Sequence, residues 1–172
     1  MASNCLDAAL IPWIVESDNF IAEQLMLQVG HAVSGKFSVS EAISYSLTHY
    51  LPQLQQVPRW VDGSGLSRYN LFTPESMVYL LKKMYLEIPE ERLFAYFPKG
   101  GRTGTLKNNY KNQPYIRAKS GTLSNNYNLS GYLITKKGTV LIFSYMSNHY
   151  QGGSSAVKED ISGYLERLYK VY

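Results

Sequence analysis

The chain has one cysteine, Cys5, so no disulfide can form within it and cysteine usage leaves the redox compartment open. No apolar run approaches the roughly 20 residues that a membrane-spanning helix needs. The N-terminal stretch lacks the basic region and unbroken apolar run of a secretory leader, because Asp7 and Pro12 interrupt it. If the protein works outside the cytoplasm, its export signal is expected on a separate upstream segment. Clustered positive charge is also missing. The net charge of +4 comes from 17 Lys and Arg against 13 Asp and Glu, and the only adjacent basic pairs are Lys82-Lys83 and Lys136-Lys137. Scattered charge of this kind argues against a nucleic-acid surface, even with 15 tyrosines available for stacking. Those tyrosines read better as amphipathic core and strand residues. His31, His49 and His149 share no spacing suited to a metal, and no cofactor-binding motif is visible, so neither metal nor cofactor is expected. Gly100-Gly101-Arg102-Thr103-Gly104-Thr105 resembles a phosphate loop only on the surface, because the Gly-Lys-Ser/Thr step is missing.

At 172 residues and 45% hydrophobic, the chain suits a single domain over 1–172 with a real core. Residues 6–15 are apolar, with Pro12 expected to break them. Ser17 or Asp18 is positioned to cap a helix from about Phe20 to Val33, ended by Gly35. A second helix is expected from about Val39 to Leu51, stopped by Pro52. Arg59-Trp60-Val61 reads as a short strand entering the glycine-rich turn Asp62–Ser67. Thr73-Pro74-Glu75 opens a helix through Met84-Tyr85, and Pro89-Glu90-Glu91 opens another. Tyr127–Thr135 and Thr139–Ser147, joined by Lys136-Lys137-Gly138, read as a β-hairpin, and an amphipathic helix runs from about Ser155 to Val171. Helices, then an antiparallel meander, then a closing helix give an α+β class.

The chemistry concentrates in the strand-like stretch Tyr115–Leu123, which ends by placing Lys119, Ser120 and Gly121 together. A lysine there can hold a carboxylate, a hydroxyl adds a directed hydrogen bond, and glycine lets a substrate backbone come close. Far upstream, Ser17-Asp18-Asn19 precedes Phe20-Ile21-Ala22-Glu23. Ser-Asp-Asn and Lys-Ser-Gly are two of the three signatures of the penicillin-recognising serine acyltransferases, whose set is S-x-x-K, S-D-N and K-T-G. Together with Asp62-Gly63-Ser64-Gly65-Leu66-Ser67, Gly104-Thr105-Leu106 and Leu129-Ser130-Gly131-Tyr132, the chain resembles the class C low-molecular-mass penicillin-binding proteins. These form the D-alanyl-D-alanine carboxypeptidase/endopeptidase family. The resemblance covers Leu6 to Tyr172.

The resemblance implies the C-terminal part of a β-lactamase/transpeptidase-like fold, an antiparallel sheet with a C-terminal helix on one face and a helical cluster beside it. It implies a serine-type peptidase of the cell envelope or periplasm that acts on peptidoglycan stem peptides ending in D-Ala-D-Ala and is acylated by β-lactams. Ser17 would relay a proton, Asn19 would bond the substrate carbonyl, and Lys119 would supply charge for the terminal carboxylate. Ser120 and Thr122 would add hydroxyl bonds, Gly121 would admit the substrate, and the N–H of Thr122 would be an oxyanion donor. Ser120 stands where threonine is usual and keeps the hydroxyl. The S-x-x-K serine precedes S-D-N in the family, yet no such pair lies before Ser17. Ser155-Ala156-Val157-Lys158 has the spacing but the wrong place in the order, and reads as a helix start with a solvated lysine. The nucleophile is therefore expected on a missing N-terminal part of the same enzyme. In its absence Thr139–Ser147 is expected to be an apolar edge strand open to homodimerisation. The alternative reading is a non-catalytic module that keeps the fold and binds peptidoglycan or a partner.

Overall fold

Side-chain alternation in the C-terminal half produces one antiparallel sheet of three strands in order, β1 (Ile116–Leu123), β2 (Asn126–Ile134) and β3 (Val140–Asn148). The computed structural model describes residues 2–172, and the helices around this sheet are α1 (Ala2–Glu16), α2 (Asn19–Ser34), α3 (Val39–Tyr45), α4 (Pro74–Glu87), α5 (Glu90–Tyr96) and α6 (Ser155–Val171). Ile116 and Ala118 of β1 join Tyr127, Leu129 and Leu133 of β2 in a core closed by Ile161 and Leu165 of α6. The opposite face carries Tyr132, packed with Leu81 of α4 and Leu93, Tyr96 and Phe97 at α5, while Leu10, Ile11 and Ile14 of α1 lie against the same cluster. Strand pleating therefore sends Arg117, Lys119 and Gly121 to the α1/α4/α5 side and Ser120 to the α6 side.

Local chemistry explains most boundaries. Thr73 caps α4 by accepting from the N–H of Ser76, with Pro74 at the first helical position. Gly35 ends α2 at φ 73°, the left-handed conformation that glycine adopts freely. Gly30 lets α2 and α3 touch, because a Cβ there would overlap the Ser38 carbonyl.

Three expectations need correction. α1 runs through Pro12 to Glu16. The proline forfeits one backbone bond, but its helix buries Leu10, Ile11 and Ile14 and is clamped to α5, where Asp7 accepts from Arg92 at 2.8 Å and from the Tyr96 hydroxyl. Tertiary burial outweighs the local break. The helix begun at Val39 is α-helical only to Tyr45 and continues as a π-turn over Ser46–Tyr50. The wider turn is tied by Thr48 Oγ1 donating to the Ser44 carbonyl and by the His49 ring stacked on Tyr45 at 4.1 Å. Arg59-Trp60-Val61 forms only a single bridge, Arg59 to Leu71, not a strand. The Val61 N–H, two residues on, goes to the side chain of Asn70 at 2.9 Å instead of to a partner strand. β3 stands at the sheet's edge, paired on one side only among the described residues, as expected for Thr139–Ser147.

Candidate active site

The turn between α1 and α2 sets the first functional side chain. Ser17 has φ 61° and follows the last helical residue, while the N–H of Asp18 returns to the Trp13 carbonyl at 3.1 Å. This is the Schellman way of ending a helix, in which glycine ordinarily takes the left-handed position. A serine there costs on the order of 1 kcal/mol. Asp18, not Ser17, then caps α2, its Oδ1 accepting from the N–H of Ile21 at 2.9 Å. The capping alternative is thus decided, and the Ser17 hydroxyl is left for another partner.

That partner is Lys119. Its Nζ donates to Ser17 Oγ at 2.8 Å and to the Ser120 carbonyl at 2.7 Å. Residues 102 positions apart in the chain meet at one hydrogen bond. Burial pushes the Lys119 ammonium down to about 8, and among the described residues no carboxylate forms an ion pair with it. An amine that titrates near pH 8, mostly charged at neutral pH yet able to release its proton, and bonded to a hydroxyl, can hold an anion or pass a proton.

Beyond Lys119 the strand opens. Gly100 donates its N–H to the Ile116 carbonyl, and Ala118 donates its own to the Pro98 carbonyl, so among the described residues the backbone bonds to the outer edge of β1 lie at its beginning. Alternation then points the N–H of Thr122 out of the sheet. Gly121 and Thr122 are exposed, and open space lies where a Cβ of Gly121 would be. Asn19 is the first residue of α2, two positions from Ser17 and exposed. Ser120 faces the other way, its Oγ donating to Thr105 Oγ1 at 3.1 Å.

Two further motifs of the resemblance lie beside these residues. Gly104–Leu106 forms a single 3-10 turn, not a phosphate loop, and presses against α1, since a Cβ on Gly104 would overlap the Val15 carbonyl. The Asp62–Ser67 turn is self-bound, Asp62 accepting from the N–H groups of Gly65 at 2.6 Å and Ser67 at 2.8 Å. Glu23 of α2 holds it by accepting from the N–H groups of Gly63 and Ser64, and Arg68 reaches the Ser124 carbonyl beyond β1. Spacing gave no hint of the Glu23 contacts, which cross 40 and 41 positions. Ser155 and Lys158 lie on α6, on the far side of the sheet from Lys119, and the Lys158 ammonium sits 5.2 Å from the centre of the Tyr127 ring. They are no part of this site.

The chain matches the D-Ala-D-Ala carboxypeptidase 3 (S13) family over residues 1–168. It belongs to that family. It is 30% identical over 107 residues to penicillin-sensitive carboxypeptidase A of Dictyostelium discoideum, covering 59% of this chain and 20% of that protein. Among solved structures it is similar to penicillin binding protein 4 of Haemophilus influenzae complexed with a β-lactam, at TM-score 0.85 and 25% identity over 95% of this chain and 41% of that one. A predatory peptidoglycan endopeptidase of Bdellovibrio bacteriovorus shares the fold at TM-score 0.73 and 19% identity, over 95% of this chain and 42% of that one. The S13 chain thus spans about a fifth of its curated relative and about two fifths of these structures. The family reading and the α+β penicillin-binding fold read from the sequence both stand. Among the described residues no helix is long and apolar enough to cross a membrane.

Proposed function

We propose that this S13 chain carries the carboxylate-binding wall and relay serine of a D-Ala-D-Ala carboxypeptidase/endopeptidase of the cell envelope, one that acts on peptidoglycan stem peptides and is acylated by β-lactams. The observation that supports this most is the 2.8 Å bond from a desolvated Lys119 to a strained Ser17. Lys119 draws the terminal carboxylate of the stem peptide, and the open edge of β1 receives its backbone at Gly121. Thr122 offers its N–H to the oxyanion that forms on the scissile carbonyl. Ser17, bonded to Lys119, passes a proton to the leaving amine. Asn19, beside Ser17, accepts or donates to the substrate's amide. The attacking serine and its lysine are assigned to a further part of the enzyme, because Ser155 and Lys158 face away from Lys119.

The test is a titration of the chain with diacetyl-L-Lys-D-Ala-D-Ala, followed by amide NMR shifts, beside intact-mass spectrometry after incubation with a penicillin. Shifts centred on Lys119–Thr122 that vanish in Lys119→Met, without a covalent adduct, are expected. An adduct lost in Ser155→Ala would make Ser155 a nucleophile and overturn the assignment. Peptide binding by an upstream-extended chain that penicillin never acylates would make the protein a non-catalytic peptidoglycan-binding module.

A further inference from the structure

Thr105 touches none of the groups given a chemical role above, except one. Its Oγ1 accepts the hydrogen of Ser120 Oγ at 3.1 Å. The turn that carries it is built into both walls of the site. Gly104, at φ 51°, lies so close to α1 that a Cβ would overlap the Val15 carbonyl, two residues before Ser17. Leu106 is fully buried in the core under β1. The carbonyl of Leu106 accepts from Gly101, whose neighbour Gly100 donates to Ile116 of β1. The turn is therefore a strut with one end on the Ser17 helix and the other on the Lys119 strand, and Thr105 makes its side-chain hydrogen bond to Ser120.

We infer that Thr105 is a positioning residue for carboxylate binding, acting through the Ser120 hydroxyl. This rests on the reading of the open edge of β1 as the carboxylate site, where Lys119 Nζ reaches round to the Ser120 carbonyl at 2.7 Å from one face and the Ser120 hydroxyl stands on the other face of the same edge. A serine hydroxyl has one hydrogen and can give it to one acceptor. Without ligand, Ser120 gives it to Thr105, which fixes its rotamer at the strand edge. When a carboxylate arrives, Ser120 turns its hydrogen to the anion, and Thr105 turns its own hydroxyl hydrogen back to Ser120 Oγ. No covalent bond changes; the Ser120–Thr105 hydrogen bond reverses direction and a new one forms from Ser120 to the anion. A bond donated to Ser120 polarises its hydroxyl and strengthens the one it makes to the anion. Valine fills the same volume but can neither accept nor donate, whereas serine can do both.

The experiment compares Kd for diacetyl-L-Lys-D-Ala-D-Ala and for its C-terminal carboxamide, by NMR titration of the wild-type chain, Lys119→Met, Thr105→Val and Thr105→Ser. Thermal melts check folding, and Thr105→Ala replaces the valine variant if that one does not fold. The wild type is expected to prefer the carboxylate. Thr105→Val should weaken the carboxylate peptide about fivefold or more and leave the carboxamide within about twofold, and Thr105→Ser should restore the preference. In a Ser120→Ala background Thr105→Val should then have no further effect. If Lys119→Met abolishes the preference while Thr105→Val keeps it, or if Thr105→Ser fails to rescue, the inference about Thr105 is wrong and the carboxylate site survives. A wild type with no preference for the carboxylate removes the site itself, and the role of Thr105 with it.

Discussion

Replacing Lys119 with methionine removes a charge that the fold holds at a loss, and the size of that loss depends on pH. Burial lowers the folded ammonium from the ordinary 10.5 to about 8. A tenfold weakening of proton affinity is worth about 1.4 kcal/mol, so below pH 8 the charged lysine costs the folded state on the order of 3 kcal/mol. The direction follows from proton counting. Between pH 8 and 10.5 the unfolded chain holds more protons on this residue than the folded chain does, so stability rises with pH across that window. From pH 7 to pH 9 the wild type should gain about 1 kcal/mol relative to Lys119→Met, and at pH 7 the methionine chain should be the more stable of the two. Burial pushes the Tyr110, Tyr127 and Tyr132 hydroxyls upward, which works against stability once unfolded tyrosines ionise near pH 10. These groups are common to both chains and cancel in the difference. Urea unfolding at half-unit steps from pH 7 to 9 measures it. A difference that stays flat with pH means that Lys119 has an ordinary lysine's affinity for protons, and the reading of it as poised near neutrality falls.

Ser17→Gly relieves the left-handed serine and should stabilise the chain by about 1 kcal/mol relative to Ser17→Ala, read from urea midpoints, at the expense of the bond to Lys119. Gly104→Ala meets the Val15 carbonyl and a positive φ together, and should destabilise by roughly 2–4 kcal/mol in the same assay; a change below about 0.5 kcal/mol would show that α1 is not held there. β3 has nine residues without a charge, a proline or a glycine and pairs on one side only among the described residues. Concentration-dependent dimerisation by light scattering is therefore expected, suppressed by Ser144→Lys, and a monomer at every concentration would rule it out.

Patterns that a residue makes with near neighbours were readable in advance. The cap at Thr73-Pro74, the hairpin turning at Lys136-Lys137-Gly138 and the amphipathic run from Ser155 all depend on offsets of a few positions, and all three formed where expected. Pro12 was misread for the complementary reason. Its effect on α1 is decided by Tyr132, Leu93 and Arg92, which nothing within a turn of the proline announces. The site divides in the same way. Ser17 and Lys119 were found through motif resemblance and the structure joins them, but the reach of Glu23 to the Gly63 and Ser64 N–H groups had no local signal. Gly104-Thr105-Leu106 was visible as a motif, though its contact with Ser120 was not.

The two residues at the centre each contrast with a counterpart elsewhere in the chain. The C-terminal end of α2 takes glycine for its left-handed residue, at Gly35, whereas the α1 end uses Ser17 at φ 61°. Exposed lysines such as Lys83 and Lys170 find glutamates one turn away, whereas the desolvated Lys119 has a hydroxyl and a carbonyl. Either exception alone is an ordinary cost of folding. Their meeting at a single hydrogen bond is harder to assign to stability, because methionine at 119 would make a more stable chain and glycine at 17 would relieve the left-handed strain. Local rules yield where something other than folding sets the residue, and the open edge of β1 beside that bond is where a carboxylate would complete it.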